Sequence, residues 1–102
     1  MSRLEKLLKI LAVEPDDAFT LYGVAQEHAT LGDHAGAIPF YNRCLAADPG
    51  YSYAYFHKAR SQEAIGDKPG AIATLGAGLF ASKKAGDAKA ASEIGSYLDE
   101  LT

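Results

Sequence analysis

The chain has 102 residues, of which 48% are hydrophobic and 23% charged, and a formal net charge of −3 at pH 7. That is one domain's length with an ordinary share of core-forming residues. The charges are mixed and scattered, with no basic stripe or block and no run near the roughly 18 apolar residues of a membrane span, so neither nucleic acid nor a membrane is an expected partner.

Ser2-Arg3-Leu4-Glu5 is a capping-box pattern ahead of Leu4, Leu7, Leu8 and Leu11, which predicts a first helix from about Arg3 to Val13. Glu14-Pro15-Asp16-Asp17 ends it. A second helix is expected over Ala18–Thr30, with Leu21, Val24, Ala25 and His28 as its packing stripe and Phe19, Tyr22 and Gln26 pointing another way. A third, over Ala35–Ala47, turns Ala37, Ile38, Tyr41, Cys44 and Leu45 inward, with Pro39 early enough to be tolerated in a first turn. Asp48-Pro49-Gly50 is a strong break. The fourth helix, Ser52–Ile65, follows Tyr51 and is the most aromatic, with Tyr53, Tyr55 and Phe56. The fifth, Lys68–Lys83, carries Gly76 and Gly78, each costing up to about 1 kcal/mol relative to alanine and tolerable where a neighbouring helix comes close. The sixth, Asp87–Leu101, has Ala91, Ile94, Leu98 and Leu101 on one side and polar residues elsewhere, as a capping helix needs.

One stretch occurs twice. Leu31-Gly32-Asp33-His34-Ala35-Gly36-Ala37-Ile38 returns as Ile65-Gly66-Asp67-Lys68-Pro69-Gly70-Ala71-Ile72, with one fixed offset that takes Gly32 to Gly66, Asp33 to Asp67 and Ala37 to Ala71. A fixed period of this size marks a repeat architecture. Physically the stretch reads as helix, tight turn, helix. Glycine closes one helix in the left-handed conformation, aspartate caps the next, and alanine sits where two helices cross closely. One hairpin cannot bury its apolar faces alone, so the copies should stack. Pro15 precedes Pro49 by the same offset, so the first helix fills the slot of a second repeat helix.

These residues resemble the tetratricopeptide repeat, a helix-turn-helix unit with W-x2-L-G-x2-Y, then A-x3-F, then P, whose period is the one seen here. Leu21, Val24, Ala25, His28, Ala37, Tyr41 and Pro49 fill those places in the first copy, with Cys44 as the small buried residue. Tyr55, Ala59, Ala71 and Leu75 fill them in the second. Lys58, Gln62 and Lys83 depart from the pattern, and the proline missing at Lys83 suggests a longer fifth helix. The resemblance implies an all-α, right-handed superhelical stack of about six helices. It would comprise a half-repeat at 1–15, repeats at 18–51 and 52–85, and a capping helix at 86–102.

What the resemblance implies about function is a non-catalytic binding scaffold whose concave groove takes an extended or helical peptide. Carried over by position, that groove holds Phe19, Tyr22, Gln26, Tyr53, Phe56, His57, Arg60 and Glu63, with Ala90 and Ile94 from the last helix. Tyr22 and Gln26 stand where one subgroup has the Lys and Asn of a carboxylate clamp, so that clamp is not present as such. Arg60 can hold an acidic group bidentately, or pair with Glu63 nearby. The alternative expectation is self-association through the repeat edges, giving a homodimer.

Other chemistries find no support. His28, Asp33 and His34 flank one turn, but no ligand set has recognised spacing, so no metal and no cofactor are expected. Cys44 lies on an inward stripe, where a thiol is inert. No nucleophile, base and oxyanion donor assemble. The single cysteine excludes an internal disulfide, and Glu5, Lys6 and Lys9 interrupt the Leu4–Val13 segment as no leader would, so a cytoplasmic location is expected.

Overall fold

The computed structural model describes residues 2–102. They form six α-helices: α1 Arg3–Val13, α2 Ala18–Thr30, α3 His34–Ala47, α4 Ser52–Ala64, α5 Lys68–Ala85 and α6 Ala88–Leu101. No strand occurs among the described residues. Helices adjacent in sequence pack as antiparallel neighbours, while α2 touches α4 and α4 touches α6 along a second row. None of these helices is long and apolar enough to cross a membrane.

The caps explain the boundaries. The Ser2 hydroxyl accepts the Glu5 N–H at 3.1 Å, and the Asp17 carboxylate accepts the Thr20 N–H at 2.9 Å and its hydroxyl at 2.6 Å. The two copies of the repeated stretch fold alike. Gly32 and Gly66 take φ of 83° and 86°, the left-handed region. Asp33 donates its N–H to the His28 carbonyl and Asp67 to the Gln62 carbonyl, both at 2.8 Å, closing the preceding helix. Their carboxylates then accept from the N–H groups of Gly36 and Gly70, at 2.9 and 3.0 Å.

Two expectations about helix interiors are corrected. Pro39 lies in the second turn of α3, not the first: His34 is the first helical residue and Asp33 the cap. Having no N–H, Pro39 cannot bond the Ala35 carbonyl, which sits on an exposed residue open to water. Only one of the two helix-interior glycines is explained by close approach. A Cβ at Gly78 would stand 2.5 Å from Tyr55 Cβ, whereas one at Gly76 would meet nothing within 4 Å.

The core has two parts. The first gathers Leu11, Leu21, Val24, Ala25, Ala37, Tyr41, Cys44 and Ala54 beneath α1 to α4, flanked by Tyr22, Phe40 and Tyr51 among others. The second is smaller, comprising Ala59, Ala71, Leu75 and Ile94, with Phe56, Leu79, Tyr97, Leu98 and Leu101 packed against it. Ser61, Thr74 and Ser82 are also buried, and the Ser82 hydroxyl has no hydrogen-bond partner.

Candidate functional site

Three helices, α2, α4 and α6, line one face, and the turn geometry fixes which of their residues point outward. The caps of α2 and α4, Asp17 and Tyr51, are one repeat period apart, but the cap of α6 falls on Asp87 and not on Ala85, where the period would put it. The extra length is in α5, which runs to Ala85 and ends on Gly86 at φ 75°. Carrying the repeat period into α6 therefore misplaces its residues by two positions. Ala90 and Ile94 are fully buried and belong to the core, not the groove. Their places on the face are taken by Ser92, Glu93, Ser96, Tyr97 and Glu100, which line a cleft of about 490 Å³ with Phe56, Arg60 and Glu63.

An adjoining cleft of about 530 Å³ lies between α2 and α4 and is lined by Gln26, His34, Tyr41, His57, Arg60 and Glu63, among others. Arg60 and Glu63 border both clefts, so the two form one continuous groove centred on α4. Of the expected groove residues, Gln26, Phe56, His57, Arg60 and Glu63 line it. Phe19 lines neither cleft and is 69% exposed. Tyr22 and Tyr53 stand beside the clefts rather than in their walls.

The aromatic residues are partly committed to packing. Tyr22 sits 4.9 Å from Tyr51 and about 6 Å from both Tyr41 and His57, ring centre to ring centre. Burial pushes its phenol up to about 12. Phe56 lies 5.3 Å from His57 and 5.3 Å from Tyr97. All but Phe56–His57, which are neighbours in α4, join one helix or its cap to another.

The polar groups have fixed partners, with one exception. Tyr41 donates its hydroxyl to Gln26. Tyr97 donates to Glu63 at 2.7 Å, bridging α6 to α4, and burial together with that carboxylate raises the Tyr97 phenol well above its ordinary value. Burial, and then the Glu93 carboxylate, raise the Tyr53 phenol too. His34 Nδ1 meets the Ser61 hydroxyl at 3.0 Å. Burial, and then the Arg60 charge, lower the pKa of His57, so the ring is neutral at pH 7. Arg60 is exposed, and among the described residues the only lysine or arginine in an ion pair is Arg3, with Glu27. The alternative Arg60–Glu63 pair is not formed, which leaves a guanidinium open in the middle of the groove.

The remaining residues take packing roles. His28 is not a fully buried core residue: its side chain is 23% exposed, stacked 5.4 Å from Phe40, with Nδ1 3.0 Å from Asp33. The Gly36 N–H and then His28 lower the Asp33 pKa. His34 faces Ser61 instead, so the two histidines do not converge. Among the described residues no three His, Cys, Asp or Glu side chains gather as a metal site would require. Cys44 is fully buried, and burial pushes its thiol up to about 11, out of the nucleophilic range.

Comparison with known proteins matches this geometry. The profile of the tetratricopeptide repeat family matches residues 28–94. No curated protein sequence matches the chain. Among solved structures, a tetratricopeptide repeat domain protein from Salinibacter ruber is 28% identical, with TM-score 0.79 over 85% of this chain and 88% of that one. A protein from Bordetella parapertussis is 26% identical, with TM-score 0.85 over 99% of this chain and 88% of that one. The TPR2B domain of yeast Sti1, in its complex with pHsp70, shares the fold at TM-score 0.89 and 24% identity, over 96% of this chain and 78% of that one.

Proposed function

Because this chain belongs to the tetratricopeptide repeat family, we propose that it is a non-catalytic protein–protein interaction module, and that the face of α2, α4 and α6 takes a peptide or helix of the partner. The observation that carries the reading is Arg60. It is exposed, has no carboxylate within 4.0 Å among the described residues, and stands where two clefts meet. An arginine with free donors beside aromatic rings is a residue type favoured at binding hot spots, able to hold a carboxylate bidentately. Gln26, Phe56 and His57 complete the surface, with Tyr22 and Tyr53 supporting it from beside. Phe19 is left outside it. The yeast domain that shares the fold was solved in a complex with pHsp70.

Selection from a displayed random-peptide library tests this. Peptides that bind the wild type should lose about tenfold or more in affinity on Arg60→Ala, the cost of one charge-assisted hydrogen-bonding group, with the protein still folded. Phe80→Ala, an exposed site lining neither groove cleft, should leave them unchanged. The opposite pattern would move the binding face away from the groove.

A further inference from the structure

The groove is not electrically uniform. Its α4–α6 half is lined by three carboxylates, Glu63, Glu93 and Glu100, against one cation, Arg60. None of the three is in an ion pair among the described residues. One of them, Glu63, is turned by Tyr97, which donates its hydroxyl to it. Phe56 and Tyr97 supply an apolar floor between them. This half therefore fits a helix face bearing both cations and aliphatic side chains.

The chain carries such a face. In α1, Leu4, Leu7 and Leu11 pack against the first core. Lys6, Lys9, Ile10 and Val13 fall at i, i+3, i+4 and i+7 on another side, the spacing of anchors for a helix laid in a groove. Both lysines are exposed, Ile10 is 47% exposed and Val13 81%. No other helix among the described residues covers this stripe, because α1 packs only against α2. Packing through its leucines, and the 3.0 Å Arg3–Glu27 pair, keep α1 from its own groove.

We propose that the α4–α6 half of the groove takes the Lys6–Val13 stripe of a second copy of this chain, the ammonium groups seated among Glu63, Glu93 and Glu100 and the aliphatic side chains on Phe56 and Tyr97. This rests on the groove being the binding face and names its occupant. The like charge of Arg60 fixes the register, holding the lysines toward α6.

Sedimentation equilibrium over a range of concentrations and salt tests the proposal. The wild type should associate, and the association constant should fall about tenfold or more as salt screens the pairs. Lys6→Glu/Lys9→Glu and Glu93→Lys/Glu100→Lys should each be monomeric, and an equimolar mixture of the two should associate again. Circular dichroism checks that both are folded. If Glu93→Lys disturbs the fold, Glu100→Lys with Val13→Ser serves instead as the monomeric variant. A wild type monomeric at every concentration, or a Lys6→Glu/Lys9→Glu variant that associates like wild type, overturns the proposal. A monomer that still binds library peptides in an Arg60-dependent way removes the second copy as occupant and leaves the peptide groove standing.

Discussion

The helix pairs α2–α3 and α4–α5 share a turn but not a core. At matched positions, His28 stacks on Phe40 in the first pair, whereas Gln62 accepts a 2.7 Å hydrogen bond from Thr74 in the second. The fully buried Tyr41 becomes Leu75, and the fully buried Val24 becomes Lys58, half-buried with its pKa lowered by burial. Leu21 grows to Tyr55 as Cys44 shrinks to Gly78, and the Tyr55 side chain occupies the room a Cβ at Gly78 would need. The repeat thus keeps the device that turns the chain, where φ and capping allow little choice, and lets side-chain volume and polarity drift in compensating pairs. Each pair keeps one side-chain hydrogen bond between its helices, Tyr41 to Gln26 in the first and Thr74 to Gln62 in the second, but at a different level of the hairpin.

The largest test of that contrast removes the matched core residues. Tyr41→Ala should cost about 3–5 kcal/mol, in line with loss of a fully buried aromatic side chain. Leu75→Ala should cost less, about 2–3 kcal/mol, because the smaller core around it has less to lose. Urea unfolding of both variants reads the difference, and an equal cost would mean that the two cores are energetically alike.

The helix-interior glycines give a smaller pair of effects with opposite signs. Gly78→Ala should destabilise by about 1–3 kcal/mol, since Tyr55 must move to admit the methyl group. Gly76→Ala, in open space, should stabilise by about 0.5–1 kcal/mol through helix propensity alone. Thermal unfolding distinguishes them. A destabilising Gly76→Ala would show that the exposed side of α5 is packed after all.

The smallest effect is a pH dependence at the groove. The folded-state pKa of His57 is lowered by burial and by Arg60, so below about 6.5 the unfolded chain binds the proton more readily. The His57 contribution is complete above that pH and is lost as the pH falls toward the lowered value. Stability should therefore decline as the pH falls below about 6.5, and His57→Gln should flatten the decline.

Much of this molecule was legible because repeats advertise themselves. Helix starts at Arg3, Ala18, Ser52 and Lys68 follow from caps and turn residues in the sequence. The two glycine turns follow from one stretch read twice. The face of α6 was legible only in part: the missing proline at Lys83 and the Asp87 start were in the sequence, but carrying the groove over by the repeat period ignored them. The end of α5 has no proline at Lys83 to stop it, so the helix runs on to Ala85 and shifts the next cap by two positions. That shift buries Ala90 and Ile94 and brings Tyr97 and Glu100 to the groove. The open state of Arg60 was hidden, since spacing from Glu63 permits a pair that the geometry does not form. Nor does spacing tell that Phe19 stands apart from the clefts while Tyr22 is drawn into packing against Tyr51.

The central claim is that the face of α2, α4 and α6 binds, and its most direct test is amide chemical-shift mapping with a library-selected peptide. Perturbations should centre on Gln26, His57, Arg60, Ser92 and Ser96, with little change along the exposed side of α5. Shifts concentrated at Ala77, Phe80 and Lys84, with Arg60 and Ser96 unmoved, would contradict the account and place binding on the opposite face.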